Sequence, residues 1–162
     1  MSAAVKQLER WRLAPELQVG SQSNYACKDK SIVRGLRYHR RIYKLLASWA
    51  LFQPDQDLIV EPWLREVRSR RCLQPDAVIV HAESATALVI EVKMNWKDGR
   101  DRKLIDEYLD AAQSAFGLRC VWPALITSNV RGLAHRPRVG LGQLLGCCDW
   151  APGEPTPVVL VP

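Results

Sequence analysis

Residues 74–96, QPDAVIVHAESATALVIEVKMNW, are the stretch that decides the fold. Two apolar runs flank the short segment AES, which predicts two β-strands joined by a tight turn. Side chains alternate across a strand, so Asp76 lies on one face of the first strand while Glu91 and Lys93 share one face of the second. If the strands pair as neighbours, these three charges meet on the same side of the sheet. The opposite face is wholly apolar and suits packing on a helix: Ala77, Ile79, Leu88, Ile90 and Val92.

Three charges at buried positions of a sheet call for a chemical reason. Two carboxylates a side chain apart repel each other, and burying them is costly unless a cation neutralises them. Mg²⁺ or Mn²⁺ does so, because hard cations take carboxylate oxygens and keep several waters. Such a cation activates a water beside a phosphate, and a lysine on the same face orients that water or stabilises charge. The pattern therefore predicts phosphodiester hydrolysis; the alternative is a salt-bridged trio on an exposed sheet face.

Two amphipathic helices are predicted on either side of this hairpin. The first spans 31–50, with Ser31 as its cap and an apolar stripe that includes His39. The stripe consists of Ile32, Leu36, Tyr43, Leu46 and Ala50. The second helix spans 101–116 and ends at Gly117.

The predicted strands give the order of the fold. They cover 57–67 (interrupted at Pro62), 72–81, 86–94 and 119–127. A helix between the last two strands implies a parallel crossover, whereas tight turns make the first three antiparallel. We therefore predict an α/β fold, with a mixed four-stranded sheet flanked by helices in the order αβββαβ.

Length and composition indicate one globular domain. We expect a single domain over 1–162, with its core at about 31–127, an N-terminal extension over 1–30 and a Pro/Gly-rich C-terminal extension over 128–162. No apolar run is long enough to span a membrane and no signal-peptide core is seen, so a cytoplasmic protein is expected. The five cysteines are odd in number and lack a CxxC motif, which predicts reduced thiols.

The charge favours a phosphate-rich partner. The formal net charge is +6 and the pI about 9.3. Basic residues cluster in 34–44, 65–71 and 97–103. Any one cluster is as readily a solvated basic face, but three in one small domain favour nucleic acid.

The sequence Gln-Pro-Asp76 followed by Val-Ile-Glu91-Val-Lys93 resembles the signature of the PD-(D/E)XK nuclease superfamily. That group includes restriction enzymes, Holliday-junction resolvases, phage exonucleases and RecB-type nuclease domains, and its shared core has the order αβββαβ. The resemblance covers roughly residues 31–127 and implies a restriction-endonuclease-like core. It also implies that Asp76 and Glu91 are catalytic metal ligands for Mg²⁺ or Mn²⁺, and that Lys93 is the catalytic lysine.

The first helix departs from many members, which place a glutamate there, because it carries no acid. RecB-type members instead have Gly-x-x-x-His, which Gly35-Leu-Arg-Tyr-His39 fits; this implies that His39 is a further metal ligand, with a core histidine as the alternative. On the second helix, Leu104-Ile-Asp-Glu-Tyr108 keeps the RecB-type tyrosine but not its glutamine. For Tyr108, contact with DNA phosphate and core packing both stay open. Glu61 is a candidate extra ligand or supporting group whose side is uncertain next to Pro62.

Candidate nucleic-acid contacts lie on the first helix, on the second helix at Tyr108 and in the basic loop after the hairpin. In that loop a tryptophan offers a stacking surface for an unpaired base, with a solvated loop as the alternative. They are Arg37, Arg40, Arg41, Lys44, Trp96, Lys97, Arg100, Arg102 and Tyr108.

These features together predict a Mg²⁺- or Mn²⁺-dependent deoxyribonuclease. A phage or mobile-element enzyme would suit the small size, working in the host cytoplasm alone, as a homo-oligomer, or as a subunit of a larger DNA-processing complex. One alternative is a catalytically silent nuclease-like fold that acts as a DNA-binding or assembly module, which the missing helix glutamate favours. Another is a basic α/β protein in which the motif is coincidental. DNA or RNA preference, endo- or exonuclease action and specificity stay open.

Overall fold

The computed structural model describes residues 10–17, 30–50, 54–95, 100–129, 139–140 and 158–161, with no side-chain description for 100–102. Two long helices and eight strands form in these ranges. Helix α1 spans Lys30–Ala50 and helix α2 spans Arg100–Phe116. The strands are β1 (Trp11–Leu13), β2 (Gln56–Val60), β3 (Leu64–Glu66), β4 (Cys72–Leu73), β5 (Ala77–His81), β6 (Thr86–Lys93), β7 (Cys120–Thr127) and β8 (Val158–Leu160).

The principal sheet has the strand order β2-β5-β6-β7-β8. The pairs β2–β5 and β5–β6 are antiparallel, whereas the pairs β6–β7 and β7–β8 are parallel. Helix α2 makes the crossover between β6 and β7, as a parallel pair requires. The predicted α/β class and mixed sheet are confirmed. The described sheet has five strands rather than four, because β8, from the predicted C-terminal extension, adds to β7.

A second, three-stranded sheet has the order β1-β3-β4, which the sequence did not predict. The strand expected over 57–67 is in fact two strands in different sheets. Between β2 and β3, Glu61 adopts a left-handed backbone with φ of 49°, and Pro62 has no N–H to continue a ladder. The strand expected over 72–81 is likewise divided, because Gln-Pro-Asp separates β4 from β5.

Helix α1 packs on the apolar face of the principal sheet. Its buried residues are Tyr38, Ile42 and Leu46, spaced one turn apart. They contact the face formed by Ala77, Ile79, Leu88, Ile90 and Val92. The predicted stripe is confirmed at Leu46 and Tyr43, which pack in the core, but it is wrong at Ile32 and Leu36, which are 49% and 45% exposed. The reason is that Tyr38 replaces them against the sheet, since its ring is apolar while its hydroxyl reaches the Val161 carbonyl at 2.9 Å.

Helix α2 covers the opposite face of the sheet. Its buried residues Tyr108, Ala111 and Ala112 pack on Val78 and Val89. Gly117, with φ of 62°, ends the helix as predicted. Among the described residues, no helix combines the length and apolar character needed to cross a membrane.

Candidate active site

Three acids form a row across the ends of β2, β5 and β6. Ala77 at the start of β5 pairs with Val60 on one side and Ile90 on the other. The next residue in register on each strand is an acid. These are Glu61, Asp76 and Glu91. The sheet register therefore brings Asp76 and Glu91 together, and it adds Glu61 beside them.

Asp76 is fixed by contacts on both of its carboxylate oxygens. The Val92 amide of β6 donates to Oδ2 at 2.7 Å. The carboxylate thus accepts the hydrogen bond that a backbone carbonyl would accept if β5 continued. Oδ1 lies 3.3 Å from His39 Nδ1 and 3.2 Å from the Tyr43 hydroxyl. Burial raises the pKa of Asp76, but the hydrogen bond and charge of His39 outweigh it, and the net pKa is lowered. Asp76 is therefore held ionised.

Glu91 is the most deeply buried charge of the described site. The residue is 2% exposed, and its Oε1 lies 2.6 Å from Lys93 Nζ. Its Oε2 is buried and has no hydrogen-bond partner among the described residues. Burial, and after it the charge of Asp76, raises the pKa of Glu91, whereas Lys93 lowers it. The resulting pKa is about 7. This burial contradicts the alternative of a salt-bridged trio on an exposed sheet face.

His39 reaches the site from the middle of α1. Its side chain is 24% exposed, and its Nδ1 faces Asp76. Burial lowers the pKa of His39, but the hydrogen bond and charge of Asp76 more than offset this, and the net pKa is raised. Since Nδ1 is engaged by the carboxylate, Nε2 is the ring nitrogen left for another ligand.

Tyr43, one turn after His39, is a site residue that the sequence placed only in the apolar stripe. Its hydroxyl lies 3.1 Å from Glu61 Oε1 and 3.2 Å from Asp76 Oδ1. Burial, followed by the charges of Asp76 and Glu61, raises the pKa of Tyr43, so the hydroxyl keeps its proton. The one signal in the sequence is its spacing: residues i and i+4 share a helix face.

Glu61 is held by its backbone at the end of β2. Its amide donates to the Asp76 carbonyl at 2.9 Å, and Gln74 Nε2 donates to the Glu61 carbonyl at 3.2 Å. These bonds maintain a positive φ that is uncommon for a residue with a Cβ. The side of Glu61, which the sequence left open, is thus the side of Tyr43 and Asp76.

Tyr108 lies beneath the site in the packing of α2. It is 8% exposed and belongs to the cluster formed with Trp11, Val78 and Val89. Burial and then the charges of Glu91 and Asp76 raise its pKa. Of the two roles left open for Tyr108, the structure places it in core packing.

Four of the six Lys and Arg residues of α1 form an exposed face next to His39 and Tyr43. They line an open groove of about 380 Å³ together with Leu45 and Ser48. The four are Arg37, Arg40, Arg41 and Lys44. Of the other predicted nucleic-acid contacts, Trp96 and Lys97 lie outside the described residues, as do the side chains of Arg100 and Arg102.

The donors at the site suit a hard divalent cation. Mg²⁺ is commonly held by one or two carboxylates plus waters and substrate oxygens, and Asp76 and Glu91 supply two carboxylates. Glu91 Oε2 is a buried oxygen with no hydrogen-bond donor in the described ranges. In the described part of the chain, no group of three or more His, Cys, Asp or Glu side chains is arranged to hold a metal ion. The fit is therefore to a cation bound by few protein ligands.

Comparisons of the chain with protein-family models, with curated proteins and with solved structures found no match in any of the three. Membership of the PD-(D/E)XK superfamily therefore stays a prediction from the motif and the order of elements.

Proposed function

We propose that this protein is a metal-dependent nuclease of the PD-(D/E)XK type that hydrolyses phosphodiester bonds in DNA. The observation that carries the proposal is Glu91: a carboxylate 2% exposed, with one oxygen on Lys93 and the other without a partner among the described residues. Burying such a group beside the ionised Asp76 costs folding free energy. Arrangements of this kind persist where the unsatisfied charge serves a site.

A divalent cation held by the two carboxylates Asp76 and Glu91 would supply Lewis-acid activation of the phosphate and of a water. Mg²⁺ and Mn²⁺ are the cations this donor set favours.

The chain's own residues position the reaction. The Val92 amide and His39 hold Asp76 ionised and in one orientation. Lys93, with a side chain 30% exposed, spans from the buried Glu91 to solvent. Its ammonium is thus suited to orient the attacking water and to stabilise negative charge on the phosphate.

The basic face of α1 supports nucleic acid as the substrate. Helix α1 contains six Lys or Arg residues and no acid. Arg40 directly follows His39, so a backbone phosphate near the site would continue along this face. Neutralising several phosphates at once supplies most of the affinity in sequence-independent binding.

The order of elements supports a restriction-endonuclease-like core. Helix α1 is followed in the principal sheet by β2, β5 and β6, then by α2 and the parallel strand β7. The strands β3 and β4 form an insertion, and β8 an addition. Fold alone does not assign activity, so the weight of the proposal stays on the site.

The test is cleavage by the purified chain of linear, nicked, branched and single-stranded DNA, in Mg²⁺, Mn²⁺ or EDTA. We expect cleavage that requires metal and disappears in Asp76→Ala and Lys93→Ala. Binding of DNA without cleavage in any metal would refute the enzyme and favour the binding module. The absence of both cleavage and binding would refute both functions.

A further inference from the structure

The Tyr43 hydroxyl stands between three polar groups of the site. Glu61 Oε1 lies at 3.1 Å, Asp76 Oδ1 at 3.2 Å and His39 Nδ1 at 3.3 Å. A phenol has one hydrogen to donate, so it serves one of the two carboxylates at a time. Because the two oxygens lie at nearly equal distances, rotation about the C–O bond exchanges one acceptor for the other without moving the ring.

The acceptors differ in what else they contact. Asp76 is 14% exposed at its side chain and already accepts from Val92 on its other oxygen. Glu61 is an exposed residue whose main chain is fixed by two hydrogen bonds. Asp76 therefore belongs to the buried site, whereas Glu61 is a fixed acceptor at its margin.

We propose that Tyr43 and Glu61 are positioning residues that free Asp76 for a cation. In the resting site the hydroxyl donates to Asp76 Oδ1. When that oxygen is taken by a cation, the hydroxyl turns to Glu61, so its hydrogen bond is exchanged rather than lost. This inference depends on the proposed function to the extent that it takes Asp76 as a cation ligand.

The consequence is a coupling between Glu61 and Tyr43. Without Glu61, a cation at Asp76 would leave the half-buried Tyr43 hydroxyl without its acceptor, and a donor that loses its partner costs free energy. Without Tyr43, no donor needs to turn, and Glu61 acts only through its charge. Two residues that act as a unit give non-additive effects in a double-mutant cycle.

The experiment measures Mn²⁺ affinity by electron paramagnetic resonance, on the full chain without DNA. The variants are Glu61→Ala, Tyr43→Phe and their combination. In the wild-type background, Glu61→Ala is expected to weaken Mn²⁺ binding by about tenfold. In the Tyr43→Phe background, it is expected to weaken Mn²⁺ binding by only about threefold, because only the charge of Glu61 is lost. The matched control Glu61→Gln keeps an acceptor oxygen, and it should weaken binding by the same factor in both backgrounds.

A second measurement keeps the test independent of variant folding. In the wild-type chain, the ¹³Cζ resonance of Tyr43 should shift when Mg²⁺ is added. This shift should persist in Glu61→Gln, which keeps an acceptor oxygen, and shrink in Glu61→Ala. Equal factors for Glu61→Ala in the two backgrounds would overturn the proposal, as would a wild-type chain that binds no Mn²⁺. The Mn²⁺ measurements contain no DNA, so they test the coupling of Glu61 and Tyr43 separately from DNA cleavage. Cleavage without this coupling would overturn this inference alone. Coupling without cleavage would overturn the proposed function alone.

Discussion

Glu91→Gln is expected to make the metal-free protein more stable above pH 7 and to give no gain near pH 5. Above pH 7 the wild-type side chain is an ionised carboxylate, 2% exposed and close to ionised Asp76. Protonated Glu91 can donate to Asp76, and the glutamine amide can do the same at every pH. The variant thus keeps the shape of the site and removes the charge that burial opposes.

The magnitude follows from the pKa of Glu91, which is raised from its ordinary 4.5 to about 7. A group with a raised pKa stabilises the fold below its unfolded pKa, and this contribution is lost as pH rises through the folded value. A rise of about 2.5 units corresponds to roughly 3 kcal/mol. The pKa of about 7 already includes the ion pair with Lys93, so we expect a gain of up to about 3 kcal/mol at pH 8.5.

Urea unfolding of both proteins in EDTA, at pH 5 and pH 8.5, measures the difference. A matched control is Glu107→Gln, which removes a partly exposed acid that lies 2.7 Å from Arg71. That change should alter the free energy of unfolding by less than about 1 kcal/mol. A Glu91→Gln protein less stable than wild type at pH 8.5, or a gain of equal size at both pH values, would refute the reasoning.

Three further predictions concern stability and binding. Lys93→Met removes the ammonium beside a buried carboxylate and should cost about 2 kcal/mol at pH 8.5 but less at pH 5, measured by urea unfolding; equal costs would contradict it. Burial raises the pKa of Tyr38 to about 12, so wild-type stability should fall as pH rises from 10 through 12. Tyr38→Phe should lose about 1 kcal/mol, because the bond to the Val161 carbonyl is gone, and should show a smaller alkaline decline, since Tyr43 and Tyr108 also have raised pKa values. Alanine at three α1 cations should reduce the slope of log affinity for DNA against log salt by about 2–3, whereas Arg68→Ala should not; an unchanged slope would exclude this face from the interface. The three are Arg37, Arg40 and Lys44.

The hairpin and its charges were predictable because strand alternation is a local rule. Residues 74–96 contain two β-prone runs of the right length and one short turn, so the face of each side chain follows from counting. The register then decides whether Asp76 and Glu91 meet. A tight turn restricts the register, and the structure pairs Ala77 with Ile90 accordingly. Both helices also followed from periodicity, to within one residue at each end.

The orientation of α1 was not predictable from apolar spacing alone. Apolar or amphipathic side chains occur around much of this helix, so two overlapping stripes fit the pattern. The predicted stripe runs through Ile32 and Leu36, whereas the sheet selects Tyr38 and Ile42. What decides is a distant partner, the Val161 carbonyl, which accepts from Tyr38 across 123 residues of sequence.

Tyr43 was missed and the side of Glu61 was left open for a different reason. Their contribution depends on the left-handed backbone of Glu61 at the end of β2. Strand alternation alone does not tell on which face of the sheet this acid lies. Neither residue belongs to the quoted motif, and each is unremarkable alone. They become part of a site only when β2 lies next to β5. In the sequence, two strands of the second sheet, β3 and β4, lie between β2 and β5.

The most direct test of the central claim is single-turnover cleavage of a linear DNA duplex in Mg²⁺ by wild type, Asp76→Asn, Lys93→Ala and the double variant. The account predicts that each single change lowers the rate to background while DNA binding stays within about threefold of wild type. The double variant should be no slower, since residues that act as a unit are not additive. Single variants that cleave as fast as the wild-type protein would contradict the claim that Asp76, Glu91 and Lys93 form the catalytic site.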